Sequence, residues 1–200
     1  MSLFPIFMKL AGRRCVVVGA GKIGEPKIQS LLTAEAEVTV IAPDATLVVE
    51  AWAHSQTISW HRRAFEAADL DGATLVIAAT PSPEVNESVF LEAQRRGILC
   101  NSVDDPEHCD FFYPAVVRRG DLQIAISTAG HSPALAQRLR SELEEQFGPE
   151  YAGWVDALGE ERQRLFSLDI DPEERRRKLH KLAGSEPFKS PEVVLEGAGS

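Results

Sequence analysis

Residues 16–27 read VVVGAGKIGEPK, and the way this stretch folds decides the rest. A β-branched run enters Gly19-Ala-Gly21-Lys-Ile-Gly24, a GxGxxG spacing, and a helical pattern follows from Lys27. Strand, glycine turn and helix in that order make the start of a βαβ unit. Each glycine has its own task. Gly19 permits the tight turn, Gly21 lets the backbone approach a pyrophosphate, and Gly24 allows close helix–strand packing, with the helix N-terminus facing the anion. The stretch therefore reads as a dinucleotide cradle rather than a purely structural turn. Pro26 is the discordant residue. A helix beginning at Lys22 would need the amide of residue 26 to donate to the carbonyl of residue 22, which proline cannot do. Beginning at Gly24 would place the proline harmlessly in the first turn. The expectation is a delayed or bent first turn.

Working outward, short Val/Ile-rich runs recur at Cys15–Val18, Val38–Ala42, Leu75–Ala79 and Ile98–Val103. They are nearly continuous in apolar character, as strands buried on both faces of a parallel sheet are. Helical stretches alternate with them at Lys27–Ala34, Ala45–His54 and Pro83–Arg96. The last is punctuated at both ends, with Ser82 as N-cap, Pro83 at the first helical position and Gly97 as the stop. The fold class is thus α/β, a Rossmann-like doubly wound parallel sheet. After Asp110 the pattern changes. Phe111–Arg118 and Leu122–Ser127 flank Arg119-Gly-Asp121 as an antiparallel hairpin. Ser132-Pro133 opens a helix to about Phe147, and Gly148-Pro149 ends it. The remainder is helical and charged, with a capping-box-like Asp171-Pro-Glu-Glu174, and Leu195–Ser200 should fray. Three parts result: a nucleotide-type domain over 1–112, a hairpin-plus-helix segment over 113–147, and a small C-terminal helical domain over 148–200. A hairpin and one helix cannot bury their apolar faces alone, so a second copy of the middle segment is the economical cover.

Composition narrows the classes. The 200 residues are 44% hydrophobic and 26% charged, ordinary for a globular chain. A formal net charge of −9 argues against a general nucleic-acid or membrane-surface role. No run approaches a membrane span, and MSLFPIFMKLAGRR lacks the pattern of a signal peptide, so a cytoplasmic protein is expected. Cys15, Cys100 and Cys109 form no CxxC pair and are expected to be reduced thiols without a metal. The charge is uneven: between Tyr113 and Arg140 stand Arg118, Arg119, Arg138 and Arg140 against the single acid Asp121. That segment suits either a polyanionic small molecule or a solvated surface.

Two strand ends carry candidate chemistry. The second strand ends Val40-Ile-Ala-Pro-Asp44. An acid about twenty residues past the glycines bonds the ribose hydroxyls in many such folds; here Ala42 holds that place, Asp44 comes two residues later, and no arginine stands there for a 2′-phosphate. This position does not settle the cofactor, and Asp44 tilts it modestly to NAD. The last strand runs into Cys100-Asn-Ser-Val-Asp-Asp-Pro-Glu-His-Cys-Asp-Phe-Phe-Tyr-Pro114. Asp104 falls just past its carboxyl end, where ligands bind. It fits a general base, a metal ligand or a turn residue before Pro106.

Taken together, Phe4-Pro-Ile-Phe7, Gly12 through Gly21, Leu31-Leu32, Val38 through Ala42, Ala78-Ala-Thr80, Asn101 through Asp104, Phe111 through Pro114 and Ile124 through Arg140 resemble the precorrin-2 dehydrogenase / sirohydrochlorin ferrochelatase family, including the N-terminal module of siroheme synthases. The likeness covers about the first 147 residues. It implies NAD-dependent oxidation of precorrin-2 to sirohydrochlorin, a homodimer joined through the hairpin-and-helix segment, and in some members insertion of ferrous iron. It implies Asp104 as the catalytic carboxylate. The implied cofactor contacts are Gly19, Gly21, Lys22, Ile23 and Gly24, then Ala42, Pro43 and Asp44, and Thr80. Precorrin-2 carries eight carboxylates, so Arg118, Thr128, His131, Ser132 and Arg138 become its candidate contacts, with the turn Ser127–Pro133 offering backbone N–H groups. Thr128 stands where some relatives have a phosphorylatable serine, and Pro26 replaces a residue that is often basic. No part resembles the methyltransferase module of larger siroheme synthases.

His54, His61 and His180 form no HxxxH pair and read as surface residues, while His108 and His131 lie nearer the presumed cleft. Trp52, Trp60 and Trp154 read as packing residues and Arg175–Lys178 as a solvated helix face. Two rivals to the dehydrogenase remain: a nucleotide-sensing regulatory module, and a chelatase without dehydrogenase activity.

Overall fold

The computed structural model describes residues 3–184; the tail 195–200, expected to fray, lies outside them. The chain divides into two compact units, Phe4–Tyr113 and the residues from Pro114 onward.

The first unit is a five-stranded parallel sheet in the order β3-β2-β1-β4-β5. Its strands are β1 (Arg14–Ala20), β2 (Glu37–Ala45), β3 (Ser59–His61), β4 (Leu75–Ala78) and β5 (Leu99–Ser102). Between them run α1 (Gly24–Thr33), α2 (Leu47–His54) and α3 (Pro83–Arg96). The order reverses direction at β1, the switch point beside which ligands bind in open α/β sheets. Alternation along each strand supplies both faces. Cys15, Val17, Val38, Val40, Leu75 and Ile77 pack with Ile28 and Leu31 of α1 and Val49 of α2. Val16, Val18, Ile41, Val76 and Ala78 pack with Val89 and Ala93 of α3. The doubly wound sheet and most element positions agree with the sequence reading.

β3 was not anticipated. It is three residues long, carries Ser59 and His61, and sits at the sheet edge, so it lacks the continuous apolar run that marks its neighbours. The first hairpin strand also differs. It is Ala115–Arg119, not Phe111–Arg118, because Asn101 Nδ2 donates to Phe111 O at 2.8 Å and Phe111 packs on the sheet core.

The second unit holds β6 (Ala115–Arg119) and β7 (Leu122–Ile126) as an antiparallel hairpin, then α4 (Pro133–Gln146), α5 (Glu150–Ser167) and α6 (Pro172–Ala183). Helices α4 and α5 both pack on the hairpin, and Val117, Ala136, Trp154 and Leu165 are its buried apolar residues. Asp171 caps α6, accepting from the amides of Glu173 and Glu174. Arg175 departs from the expected solvated face. Its Nε donates to Leu165 O at 3.1 Å and its guanidinium stacks on Phe166, closing the end of α5. Among the described residues no helix is long and apolar enough to cross a membrane, and the three cysteines are free thiols.

Candidate active site at the carboxyl edge of the sheet

The glycine loop joins β1 to α1, and its three glycines answer to different neighbours. Gly19 has φ +105°, and a Cβ there would press on the carbonyl of Ala79. A Cβ on Gly24 would overlap the carbonyl oxygen of Gly19. Protein packing therefore accounts for both. Gly21 is otherwise: its Cβ would meet no protein atom within 4 Å, and its φ is not positive. Among the described residues no neighbour requires a bare backbone at residue 21, and the space over it is open to a ligand.

Helix α1 starts at Gly24, with Glu25 N bonded to Gly21 O at 3.0 Å. Pro26 thus falls in the first turn, where its missing N–H costs nothing; the expected delay is what the chain does. No side chain caps this N-terminus. By contrast, Thr46, Ser82, Ser132 and Asp171 cap α2, α3, α4 and α6. With Glu25 N bonded to Gly21 O and Pro26 lacking an N–H, the amide of Gly24 and the dipole of α1 are what the first turn offers a phosphate. Lys22 and Ile23 are exposed on the same loop.

Thr80 borders the loop: its backbone N would stand 3.0 Å from a Cβ on Gly19. Its hydroxyl is already spent on Asn86 Oδ1 at 2.7 Å, and Asn86 Nδ2 donates back to Thr80 O at 3.0 Å. Asn86, almost fully buried on α3, shapes this turn, and nothing local to the sequence marks it.

At the end of β2, Ala42 is buried while Pro43 and Asp44 are exposed. The expectation that no arginine stands here needs correction. Arg62, just past β3, donates from Nε to Pro43 O at 3.2 Å and approaches Asp44 Oδ1 at 3.9 Å. Strand pairing, not sequence proximity, brings it there.

Past β5 the chain folds back on itself. Asp110 N donates to Cys100 O at 2.8 Å, Asp110 Oδ2 accepts from Cys100 N at 2.9 Å, and Cys109 bridges to Asn101. Within this loop Asp104 is held at φ +63°, a left-handed conformation uncommon outside glycine and sparingly tolerated by Asp and Asn. Asp104 lines a cavity of about 180 Å³ with Lys27, Ser102, Cys109 and Tyr113. Lys27 belongs to α1, so the helix of the glycine loop also walls the Asp104 cavity. Its ammonium stands 3.8 Å from the centre of the Tyr113 ring. Burial lowers the Lys27 pKa, and Asp104 and Cys109 oppose that shift. Burial raises the Cys109 thiol, keeping it neutral. Ser102 Oγ is buried in the wall without a hydrogen-bond partner among the described residues. His108 is anchored to Asp105 at 2.5 Å and packs on Phe90; the Asp105 bond raises its pKa.

In the second unit three of the four arginines between residues 113 and 140 have partners. Arg119 donates to Phe147 O at 2.8 Å and Glu144 O at 3.0 Å, closing the end of α4. Arg138 pairs with Glu142 at 3.2 Å and Arg140 with Glu144 at 2.5 Å. The acids just beyond residue 140 balance a segment that looks basic up to that point. Arg118 is exposed, and among the described residues its guanidinium has no ion pair. The turn 127–133 also consumes its own donors. Ser132 N bonds Thr128 Oγ1 at 3.1 Å, His131 N bonds Thr128 O at 2.9 Å, Ala129 N bonds Ser127 Oγ at 3.1 Å, and Ser132 Oγ caps Leu135 N at 3.3 Å. Thr128 and Ser132 act here as caps, and His131 is exposed.

Comparison with known proteins agrees with the dinucleotide-binding fold. Residues 6–115 match the family described as putative NAD(P)-binding, and residues 119–146 match the sirohaem biosynthesis protein central family. Siroheme synthase 1 of Aeromonas hydrophila subsp. hydrophila is 39% identical over 169 residues, covering 84% of this chain and 36% of that protein. Siroheme synthase of Methylococcus capsulatus is 38% identical over 176 residues, 88% of this chain and 37% of that one. The chain thus spans about a third of the length of these curated relatives. Among solved structures, SirC, precorrin-2 dehydrogenase, superposes with a TM-score of 0.78 at 26% identity, covering 90% of this chain and 89% of that one. It is thus similar to siroheme synthases and to SirC, and with its first family model spanning more than half of its length, the chain belongs to the putative NAD(P)-binding family.

Proposed function

We propose that this protein is an NAD-dependent dehydrogenase that oxidises precorrin-2 to sirohydrochlorin in siroheme biosynthesis. The observation that carries the reading is the meeting of two features at one edge of the sheet. A glycine loop whose middle glycine stands open leads into the helix that walls the Asp104 cavity. The likeness to siroheme synthases and to SirC supplies the substrate class.

NAD supplies a hydride acceptor. The loop Gly19–Gly24 and the α1 N-terminus would hold its pyrophosphate, and Ala42, Pro43 and Asp44 its adenosine ribose. Oxidation removes a hydride and a proton from the macrocycle. Asp104 would take that proton, held in place by a backbone conformation that the Cys109–Asp110 fold-back maintains. A cavity of about 180 Å³ is below the usual size of a small-molecule site. It would receive one edge of a tetrapyrrole beside Asp104. Arg118 and His131 are the candidate contacts for substrate carboxylates. The same carboxylate would serve iron insertion into sirohydrochlorin, which sheds pyrrole protons, with ferrous iron as a second substrate. A homodimer through the second unit and a cytoplasmic location complete the reading; the free thiols fit a reducing compartment.

The test is anaerobic NADH formation from enzymatically generated precorrin-2 and NAD, followed at the NADH band together with the spectrum of sirohydrochlorin. Production of both supports the dehydrogenase. NAD binding without turnover, against a working control enzyme, favours a sensing module or a chelatase.

A further inference from the structure

In doubly wound folds the adenosine ribose lies at the carboxyl end of the second strand. An acid there bonds the 2′-hydroxyl, and a nearby arginine accommodates a 2′-phosphate. Both kinds of group are present here. β3 pairs in parallel with β2, Val40 opposite Trp60 and Ile41 opposite His61, so residue 62 leaves the sheet alongside Ala42 and Pro43. Three contacts place its side chain. Trp60 Nε1 donates to Ala42 O at 3.0 Å and fixes the indole. The Arg62 guanidinium lies over that indole, 5.3 Å from its centre, and Nε donates to Pro43 O at 3.2 Å. A guanidinium held this way loses little further freedom when it meets an anion.

Its link to Asp44 is loose. The separation is 3.9 Å, and the two side chains are 66% and 91% exposed, so the pair is worth little in water and is readily exchanged. The outer nitrogens of Arg62 therefore face a choice between Asp44 and an incoming phosphate, whose geometry suits the guanidinium fork. Arg63, next in the chain, is not available, since Asp69 holds it at 2.5 and 2.8 Å.

We propose that Arg62 is a determinant of cofactor choice, a guanidinium placed at the ribose 2′ position that lets the site accept NADP as well as NAD. With NAD, Asp44 takes the ribose hydroxyl and Arg62 stays on Trp60 and Pro43. With NADP, Arg62 takes the 2′-phosphate and Asp44 turns to solvent. The inference rests on the glycine loop being a dinucleotide site.

The experiment is calorimetric titration of the full chain with NAD and with NADP, in wild type, R62A, R62K and D44N, at two KCl concentrations. Wild type is expected to bind both. R62A should weaken NADP about tenfold or more beyond any change in NAD, the scale of one charge-assisted hydrogen bond. R62K should recover part of that loss, D44N should shift the ratio toward NADP, and added KCl should weaken NADP more than NAD. If wild type binds NAD and not NADP, or if R62A moves both affinities equally, the role of Arg62 is overturned while the cradle stands. If neither dinucleotide binds wild type, the cradle reading fails and this inference with it. Should R62A not fold, the NADP-to-NAD ratio in R62K decides.

Discussion

The carbonyl oxygen of Gly19 occupies the space that a Cβ on Gly24 would need, so strand β1 and helix α1 touch backbone to backbone. Gly21, between them, faces open space. Gly19 and Gly24 serve the fold, Gly21 is proposed to serve a ligand, and substitution separates these roles. G24A should lose about 1–3 kcal/mol of stability through overpacking. G21A should unfold at close to the wild-type temperature yet bind NAD at least tenfold more weakly. Thermal denaturation and calorimetry on the two variants decide; a G21A protein that binds normally contradicts a pyrophosphate at that loop.

Asp104 combines a carboxylate with φ +63°, which dictates how it should be replaced. Alanine would add backbone strain to the loss of the carboxylate, whereas asparagine tolerates the left-handed region. D104N should retain NAD affinity and lose about 10²–10⁴-fold in turnover, the usual contribution of a general base. Turnover within tenfold of wild type removes Asp104 from the chemistry.

Asp69 predicts the acid limit of the first unit. It is nearly buried, accepts two hydrogen bonds from Arg63 and one from Glu66 N, and its pKa lies below the usual carboxylate range, chiefly because of Arg63. A depressed folded-state pKa means that the unfolded chain binds the proton more readily. The stabilisation is therefore present above about pH 4 and fades as pH falls through the lower folded value. D69N should cost about 1–3 kcal/mol at neutral pH and should flatten the stability profile below pH 4. Urea denaturation across pH 2–7 reads both effects.

Arg119 and Arg118 are neighbours on β6 with opposite prospects. Arg119 holds the carbonyls of Glu144 and Phe147, so R119M should destabilise the second unit by about 1–3 kcal/mol. R118M removes an exposed side chain and should leave stability within about 0.5 kcal/mol. If Arg118 meets a substrate carboxylate, R118M raises KM for precorrin-2 several-fold with kcat little changed. Equal melting temperatures for the two variants would contradict the cap assigned to Arg119.

How much of this was legible beforehand depends on the range of the interaction. Helix α3 follows its sequence reading residue for residue, Pro83–Arg96, because Ser82, Pro83 and Gly97 act within a turn of where they stand, Gly97 at φ +67°. The buried strands declare themselves by unbroken Val/Ile runs, and the glycine loop by its spacing. The delayed start of α1 follows from the covalent structure of Pro26 alone. β3 escaped because three partly polar residues at a sheet edge carry no periodic signal. Residues 113–140 look basic in isolation because Glu142 and Glu144, which pair with Arg138 and Arg140 one helical turn away, lie just beyond that window.

The amino-acid sequence by itself determined the strand–glycine turn–helix unit, the doubly wound class, and Asp104 as the carboxylate past the last strand. These rest on hydrophobic periodicity, capping chemistry and the special backbones of glycine and proline, all local. Only the tertiary structure decided that Arg62 stands beside Asp44, that Asn86 takes the hydroxyl of Thr80, that Lys27 shares a cavity with Asp104, and that Arg119 closes α4. The physical reason is that strand order and helix packing bring these pairs together. Apart from Thr80–Asn86, six residues apart across the start of α3, each contact spans residues far enough apart in sequence that no local pattern encodes it.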